Sequence, residues 1–287
     1  MSFLHAKKTV LQLFATALIA LIALSSLSLP AFAKAPDAAP PHKLANALRA
    51  LQDANAAPAA PFLRPEITAD YVNFIAENEI VHGDTSQPAM ALTFDCGGGV
   101  ASLQYILNTL ENNSVTGTFF LEGNFVQLKP EIVPMILAGG HELGNHSFTH
   151  PKFTTLTQTQ VAQELSRTEA AVSAAAGKPL PMRYFRFPYG DRNKEIKRWV
   201  AEQGYQSVFW DIDPQGWRRT MTATTVISFV LANAHPGGIV LMHCYAPADE
   251  AALPDVIAGL QAKGYRLDSL SNILPAEQLV WQEKDEG

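Results

Sequence analysis

The run from His146 to Pro151 reads HSFTHP and sets two imidazoles four residues apart. At that spacing both rings fall on one face of a helical turn, from which they can reach a single ion. Pro151 keeps the turn from growing into a long helix, so the pair is expected at a loop mouth. Neutral imidazoles suit zinc, and a hydrolytic zinc site leaves one position open for water. The bland alternative is that His146 bonds the backbone and His150 caps a helix. The company of the pair favours chemistry: Asp95, Arg186, Asp211 and His243 all lie at the ends of apolar, strand-like runs.

Those runs are Met90–Phe94, Gly117–Leu121, Gly140–Leu143, Tyr184–Phe187, Ser207–Trp210, Ile239–Met242 and Tyr265–Leu267. Helical spacing fills the intervals, over Gln104–Leu110, Pro130–Leu137, Thr159–Ala176, Lys194–Gln203, Thr222–Ala234 and Leu253–Ala262. Glycines at Gly139-Gly140, Gly204 and Gly264 suit left-handed helix ends. Strand–helix alternation calls for a parallel sheet, and about seven units predict an α/β barrel, closed or nearly closed, more than an open sheet. In such a barrel, chemistry collects where strands run into their helices. Asp95 with Cys96, His146 with His150, Arg186 to Tyr189, Asp211 with Asp213, and His243 occupy five such ends.

The N-terminus reads as a targeting segment. Lys7 and Lys8 precede an apolar stretch from about Val10 to Leu29, and Ala31-Phe32-Ala33 offers a small-x-small cleavage site. The rival is an uncleaved membrane anchor, because the stretch nears spanning length; Ser25, Ser26 and Ser28 favour cleavage. On either reading the working domain leaves the cytoplasm, for the periplasm or the exterior. Residues 1–33 are thus expected as signal peptide. Residues 34–65 form an Ala/Pro-rich tether with a helical patch at Leu44–Leu51, and 66–287 form one catalytic domain. The full chain carries a net charge of −6, and the leader removes two basic residues and no acidic one. So acidic a mature chain is not expected to bind nucleic acid or anionic membrane.

The chain has two cysteines, Cys96 and Cys244. In an exported protein the default is one disulfide. A thiolate at Cys96 competing for zinc, and a small buried thiol, are the other two readings.

Five segments together resemble the motifs of the NodB-like polysaccharide deacetylases, carbohydrate esterase family four. They are Ala91–Gly97 (ALTFDCG), Gly140–Pro151 (GHELGNHSFTHP), Tyr184–Asn193 (YFRFPYGDRN), Trp210–Trp217 (WDIDPQGW) and Ile239–His243 (IVLMH). They stand in the family's order over roughly residues 85 to 270. The resemblance implies a distorted or incomplete (β/α) barrel, a divalent metal (usually zinc) and removal of acetyl groups from sugar polymers. It implies roles as well. His146 and His150, with Cys96 in place of an acid, would hold the metal. Asp95 would be general base, oriented by Arg186, and His243 general acid. The backbone N–H of Tyr189 would help stabilise the oxyanion, and Trp217 would face sugar. Two positions depart from the pattern. Cys96 stands where the family has a metal-binding Asp, and Gly216 where it has an acid that helps organise Arg186 and His243; Asp211 or Asp213 are the candidate substitutes.

The expected function is an exported, metal-dependent hydrolase acting on N-acetylated glycan, such as peptidoglycan, chitin-like oligomers or exopolysaccharide, as a monomer. A glycan-binding pseudoenzyme on the same barrel is the rival, motivated by Cys96 and Gly216. Hydrolysis of a small cyclic amide or ureido compound is a third reading, disfavoured by the export signal.

Overall fold

A computed structural model describes residues 64–275. The leader, the Leu44–Leu51 patch and nearly all of the tether lie outside these residues. The strands are β1 (Ala89–Cys96), β2 (Thr118–Leu121), β3 (Glu142–Asn145), β4 (Tyr184–Phe185), β5 (Gln206–Ser207), β6 (Ile239–His243) and β7 (Arg266–Leu267). Around them stand α1 (Ala69–Glu77), α2 (Val100–Asn112), α3 (Gly123–Leu128), α4 (Ile132–Ala138) and α5 (Gln158–Ala176). The remaining helices are α6 (Lys194–Glu202), α7 (Ala223–Asn233), α8 (Pro247–Ala262) and α9 (Leu270–Ile273).

Every pairing is parallel, in the order β5-β4-β3-β2-β1-β6, with β7 against the start of β1. The ladder does not close. The segment after β5 crosses the gap between the two edges: Val208 bridges to Ile80, and Ile212 bridges to Val240 of β6. Strand–helix alternation predicts the parallel sheet of about seven strands, and the open ladder is the incomplete barrel that the family resemblance implies.

β1 is buried on both faces, so it reads as a near-continuous apolar run. Its side chains alternate. Ala89 and Ala91 join Phe120, Tyr184, Val208 and Ile239 inside the barrel. Met90, Leu92, Phe94 and Cys96 join Leu103 and Ile106 of α2 beneath the helices. Asp95 therefore points inward and Cys96 outward. A disulfide joins Cys96 to Cys244, with Cα atoms 4.9 Å apart.

Local signals set most helix ends. Thr157 and Gln160 form a reciprocal capping box at the start of α5. Gly204 and Gly264, at φ 78° and 88°, take the left-handed turns expected after α6 and α8. Sequence spacing misses α1, α3 and the short α9. It also starts α8 at Leu253, whereas the helix begins at Pro247, a residue suited to a first turn. That extra turn and a half carries Asp249.

Candidate active site

The C-terminal strand ends converge on a cavity of about 370 Å³. Asp95, His146, His150, Tyr189, Trp210, Asp213, Trp217, Leu241, His243 and Tyr245 line it. The register pairs Asp95 of β1 directly with His243 of β6, so these two side chains arrive side by side from neighbouring strands. Arg186 follows β4 and donates its backbone N–H to Asn145 at the end of β3, which brings it beside His146.

Asp95 is the electrostatic hub. Arg186 is fully buried, and its Nη1 donates to Asp95 Oδ1 at 2.8 Å. The same guanidinium donates from Nη2 to the Phe209 carbonyl and lies over the Phe120 ring, 4.1 Å from its centroid. His146 Nε2 lies 3.5 Å from Asp95 Oδ2, while its Nδ1 is 2.9 Å from the Arg186 carbonyl oxygen. A carbonyl only accepts, so Nδ1 carries the proton and Nε2 presents its lone pair to the cavity. Burial works to raise the Asp95 pKa, but His146, Arg186 and His243 outweigh it and hold the carboxyl below its ordinary range. Burial lowers the pKa of His146. Burial, then the neighbouring His146, brings that of His150 down to about 4. In both, burial favours the neutral ring, the form that binds metals.

The loop carrying the histidines is not a helical turn. Ser147 and His150 have φ of 66° and 57°, which corrects the expectation from their spacing. Turn chemistry holds it instead. Asn145 Oδ1 accepts from the Ser147 N–H, and Ser147 Oγ accepts from the His150 N–H. The Glu164 carboxylate on α5 takes the N–H groups of Phe148 and Thr149. The imidazoles still meet, with ring centroids 4.9 Å apart. Asn145 and Glu164 were not legible as site residues, because their partners are backbone groups made available only by folding.

Cys96 does not join the histidines. Its sulfur is bonded to Cys244 and buried among the helices, so no thiolate is available and its expected place as a metal ligand is corrected. Cys96 packs with Met90, Leu92 and Phe94 beneath the helices, on the face of β1 opposite Ala89 and Ala91, where it meets Cys244. Among the described residues, no group of three or more His, Cys, Asp or Glu is gathered closely enough to hold an ion. The donors that fit a metal are the two imidazoles, with Asp95 the carboxylate beside them.

The acid-side histidine has a partner that the sequence did not suggest. His243 Nδ1 is 3.4 Å from Asp249 Oδ2, and the His243 backbone N–H donates to the same oxygen at 3.0 Å. Neither proposed substitute fills that place. Asp211 accepts from the Ile239 N–H and faces His235 at 3.1 Å; Asp213 lines the cavity and accepts from the Gln215 N–H.

Comparison with known proteins places this arrangement. The sequence model described as polysaccharide deacetylase matches residues 82–208. The peptidoglycan-N-acetylmuramic acid deacetylase PdaA of Bacillus subtilis (strain 168) is 32% identical over 194 residues, covering 67% of this chain and 73% of PdaA. The chain belongs to the polysaccharide deacetylase family. A chitooligosaccharide deacetylase of Bradyrhizobium sp. (strain ANU 289) is 33% identical, over 69% of this chain and 88% of its own. In structure, the chain is similar to a carbohydrate esterase family four pseudoenzyme from Bacillus anthracis, with TM-score 0.65 and 29% identity over 69% of each chain.

Against the family pattern, both departures noted in the sequence have a structural account. Cys96 is tied to Cys244, next to His243, and Gly216 lies against Asp249. Around the mouth of this deacetylase-family site, Tyr189 is 66% exposed, and Trp217 and Tyr245 are each 47% exposed. Large flat rings left open to solvent at a cavity rim suit stacking on sugar. Trp210 is different: it lies flat on Phe209, centroids 3.9 Å apart, and packs into the wall. Tyr189 turns the chain at φ 58°, with its ring 4.5 Å from that of His150. Glu122, at the end of β2, was also missed; burial, then the charge of Asp95, pushes its carboxyl up to about 7.

Proposed function

We propose that this chain is an exported hydrolase that removes acetyl groups from N-acetylated glycan. The observation that carries the reading is one cavity holding Asp95 hydrogen-bonded to Arg186, the imidazoles of His146 and His150, and His243 paired in register with Asp95. The names of the relatives support peptidoglycan and chitooligosaccharide as the substrate classes. The basic, apolar and Ala-x-Ala sequence of residues 1–33 supports export to the periplasm or exterior.

A divalent metal, with zinc the expected one, would be held by His146 and His150 and would supply Lewis acidity at the acetyl carbonyl. The chain's own residues do the rest. Asp95, kept ionised and oriented by Arg186, takes a proton from the attacking water. The water oxygen bonds to the acetyl carbon, and the Tyr189 N–H donates to the oxyanion that forms. His243 gives a proton to the sugar nitrogen as the carbon–nitrogen bond breaks, leaving acetate and a free amine. Trp217 and Tyr245 offer faces to the sugar.

The test is acetate release from chitin oligomers and from peptidoglycan by the metal-reconstituted protein. We expect acetate and free amine in equal amounts. Asp95→Asn and His243→Ala should each lose about 10²- to 10⁴-fold in kcat with the fold intact. Full activity in either variant overturns its assigned role.

The second reading is a glycan-binding protein without catalysis. It is favoured by the Cys96–Cys244 disulfide, which leaves two imidazoles where three ligands were expected, and by the similarity to a pseudoenzyme. Glycan binding with no acetate release, at saturating metal, would select it.

A further inference from the structure

Asp249 is 1% exposed, in the first turn of α8, and its position is unusual for an acid. Acids near a helix start are common and stabilising, but they normally keep solvent contact. This one is driven inward. Its Oδ2 receives the backbone N–H of His243 and stands 3.4 Å from Nδ1 of the same residue. Its Oδ1 and His243 Nδ1 are both buried without a hydrogen-bond partner among the described residues. A small rotation of either group converts the 3.4 Å approach to Oδ2 into a hydrogen bond and satisfies Nδ1, and a larger turn of the carboxylate offers Oδ1 to the same nitrogen.

The space for this carboxylate comes from Gly216. A Cβ built on Gly216 would overlap Asp249 Oδ1. Gly216 is not among the residues with positive φ, so its backbone conformation does not demand glycine. What bars a side chain at 216 is the Asp249 carboxylate in that volume. That volume takes either a side chain at 216 or the Asp249 carboxylate, not both.

We propose that Asp249 is the positioning residue of His243. It fixes the ring orientation and holds the proton on Nδ1, so that Nε2 faces the cavity. A buried carboxylate behind a histidine is the general means of setting tautomer and orientation. The proposal deepens the deacetylase reading, on which it rests for the role of His243 as acid. Asp249 itself touches neither substrate nor reacting atoms.

The experiment uses Asp249→Asn, which keeps the volume and an oxygen for the His243 N–H but removes the charge. It also uses Asp249→Ala, and Gly216→Asp/Asp249→Ala, which moves the carboxylate to the other segment. Two readouts are taken on each: ring-nitrogen NMR of His243, assigned through His243→Gln, and steady-state acetate release. We expect the Nδ1-protonated signature of the wild type to weaken in Asp249→Asn and Asp249→Ala. We expect kcat to fall about 10- to 100-fold with KM within twofold. Relocation of the acid should recover both. Unchanged tautomer and kcat in Asp249→Asn overturn the proposal, as does a folded relocation variant no better than Asp249→Ala. If the wild type releases no acetate, the deacetylase reading fails separately. The NMR arm then still decides whether Asp249 sets the ring.

Discussion

Arg186 grips Asp95 from two directions. Its guanidinium donates to Asp95 Oδ1 at 2.8 Å, and its backbone carbonyl fixes the His146 ring whose Nε2 faces Oδ2. One residue thus sets both the charge and the surroundings of the carboxylate. The arrangement follows from the sheet: β4 ends at Phe185, and β3, on whose end His146 sits, is its neighbour.

Removal of that guanidinium should be costly. Arg186→Met leaves Asp95 buried and uncompensated, which costs about 3–5 kcal/mol in similar cases. Urea unfolding of the metal-free protein measures it. Asp95→Asn in the same background should restore part of the loss, because the stranded charge is gone. The pH dependence has a definite sign. The folded pKa of Asp95 is lowered, so its contribution is present above the ordinary carboxylate pKa and is lost as pH falls towards the folded value. Asp95→Asn should flatten that acid limb. Additive losses in the double variant would show that the pair is not coupled.

The Cys96–Cys244 pair makes a second prediction, on stability and metal content together. The bridge closes a sequence separation of 148 residues, yet joins β1 to the end of its own neighbour β6. Its loss should therefore stabilise the unfolded chain more than it disturbs the site. Non-reduced, denatured protein should show no free thiol. Cys96→Ser/Cys244→Ser should lose about 2–4 kcal/mol against urea. Metal content should be the same in Cys96→Ser and in Cys244→Ser, while His146→Ala and His150→Ala each release the ion. Selective metal loss on changing Cys96 would return that residue to the ligand set.

His141 gives a pH-dependent prediction away from the cavity. It is 5% exposed and accepts the Gly117 N–H on Nδ1, and burial depresses its pKa to about 4. The unfolded chain then binds more protons than the folded one between about pH 4 and the ordinary histidine pKa. Stability should rise with pH through that window, with a ceiling near 2 kcal/mol between pH 5 and neutrality for this group alone. His141→Gln keeps a side-chain acceptor but does not titrate, and should flatten the profile in urea unfolding at fixed pH values. An unaltered slope would place the effect elsewhere.

What sequence could show divides along physical lines. The strands, their parallel alternation with helices and the glycine-ended helices were legible, because hydrophobic period and glycine punctuation are local signals. The place of Cys96 was not, because the resemblance puts a metal ligand at that position and only the fold brings it to Cys244. The histidine loop was misread because spacing of four suggests a helix, whereas Asn145, Ser147 and Glu164 build a left-handed turn there. Asp249 was out of reach. Its helix reads as starting later, and its meaning depends on a contact with Gly216 that only the folded barrel brings about.

Trp217 offers the sharpest test of substrate contact. Its side chain lines the cavity and is half exposed, with the Arg218 guanidinium 5.2 Å from the ring centroid. No strand holds it; it follows Gln215 and Gly216 in the turn between the Ile212 bridge and α7. An aromatic face at such a rim contributes through stacking and area, on the order of 1 kcal/mol, and carries no proton. Trp217→Ala should therefore raise KM for chitin oligomers about fivefold while kcat stays within twofold, as uniform binding requires. Trp217→Phe should recover most of the affinity. A drop in kcat without a change in KM would mean that the ring acts on the reacting centre instead, through the Gly216–Asp249 contact behind it.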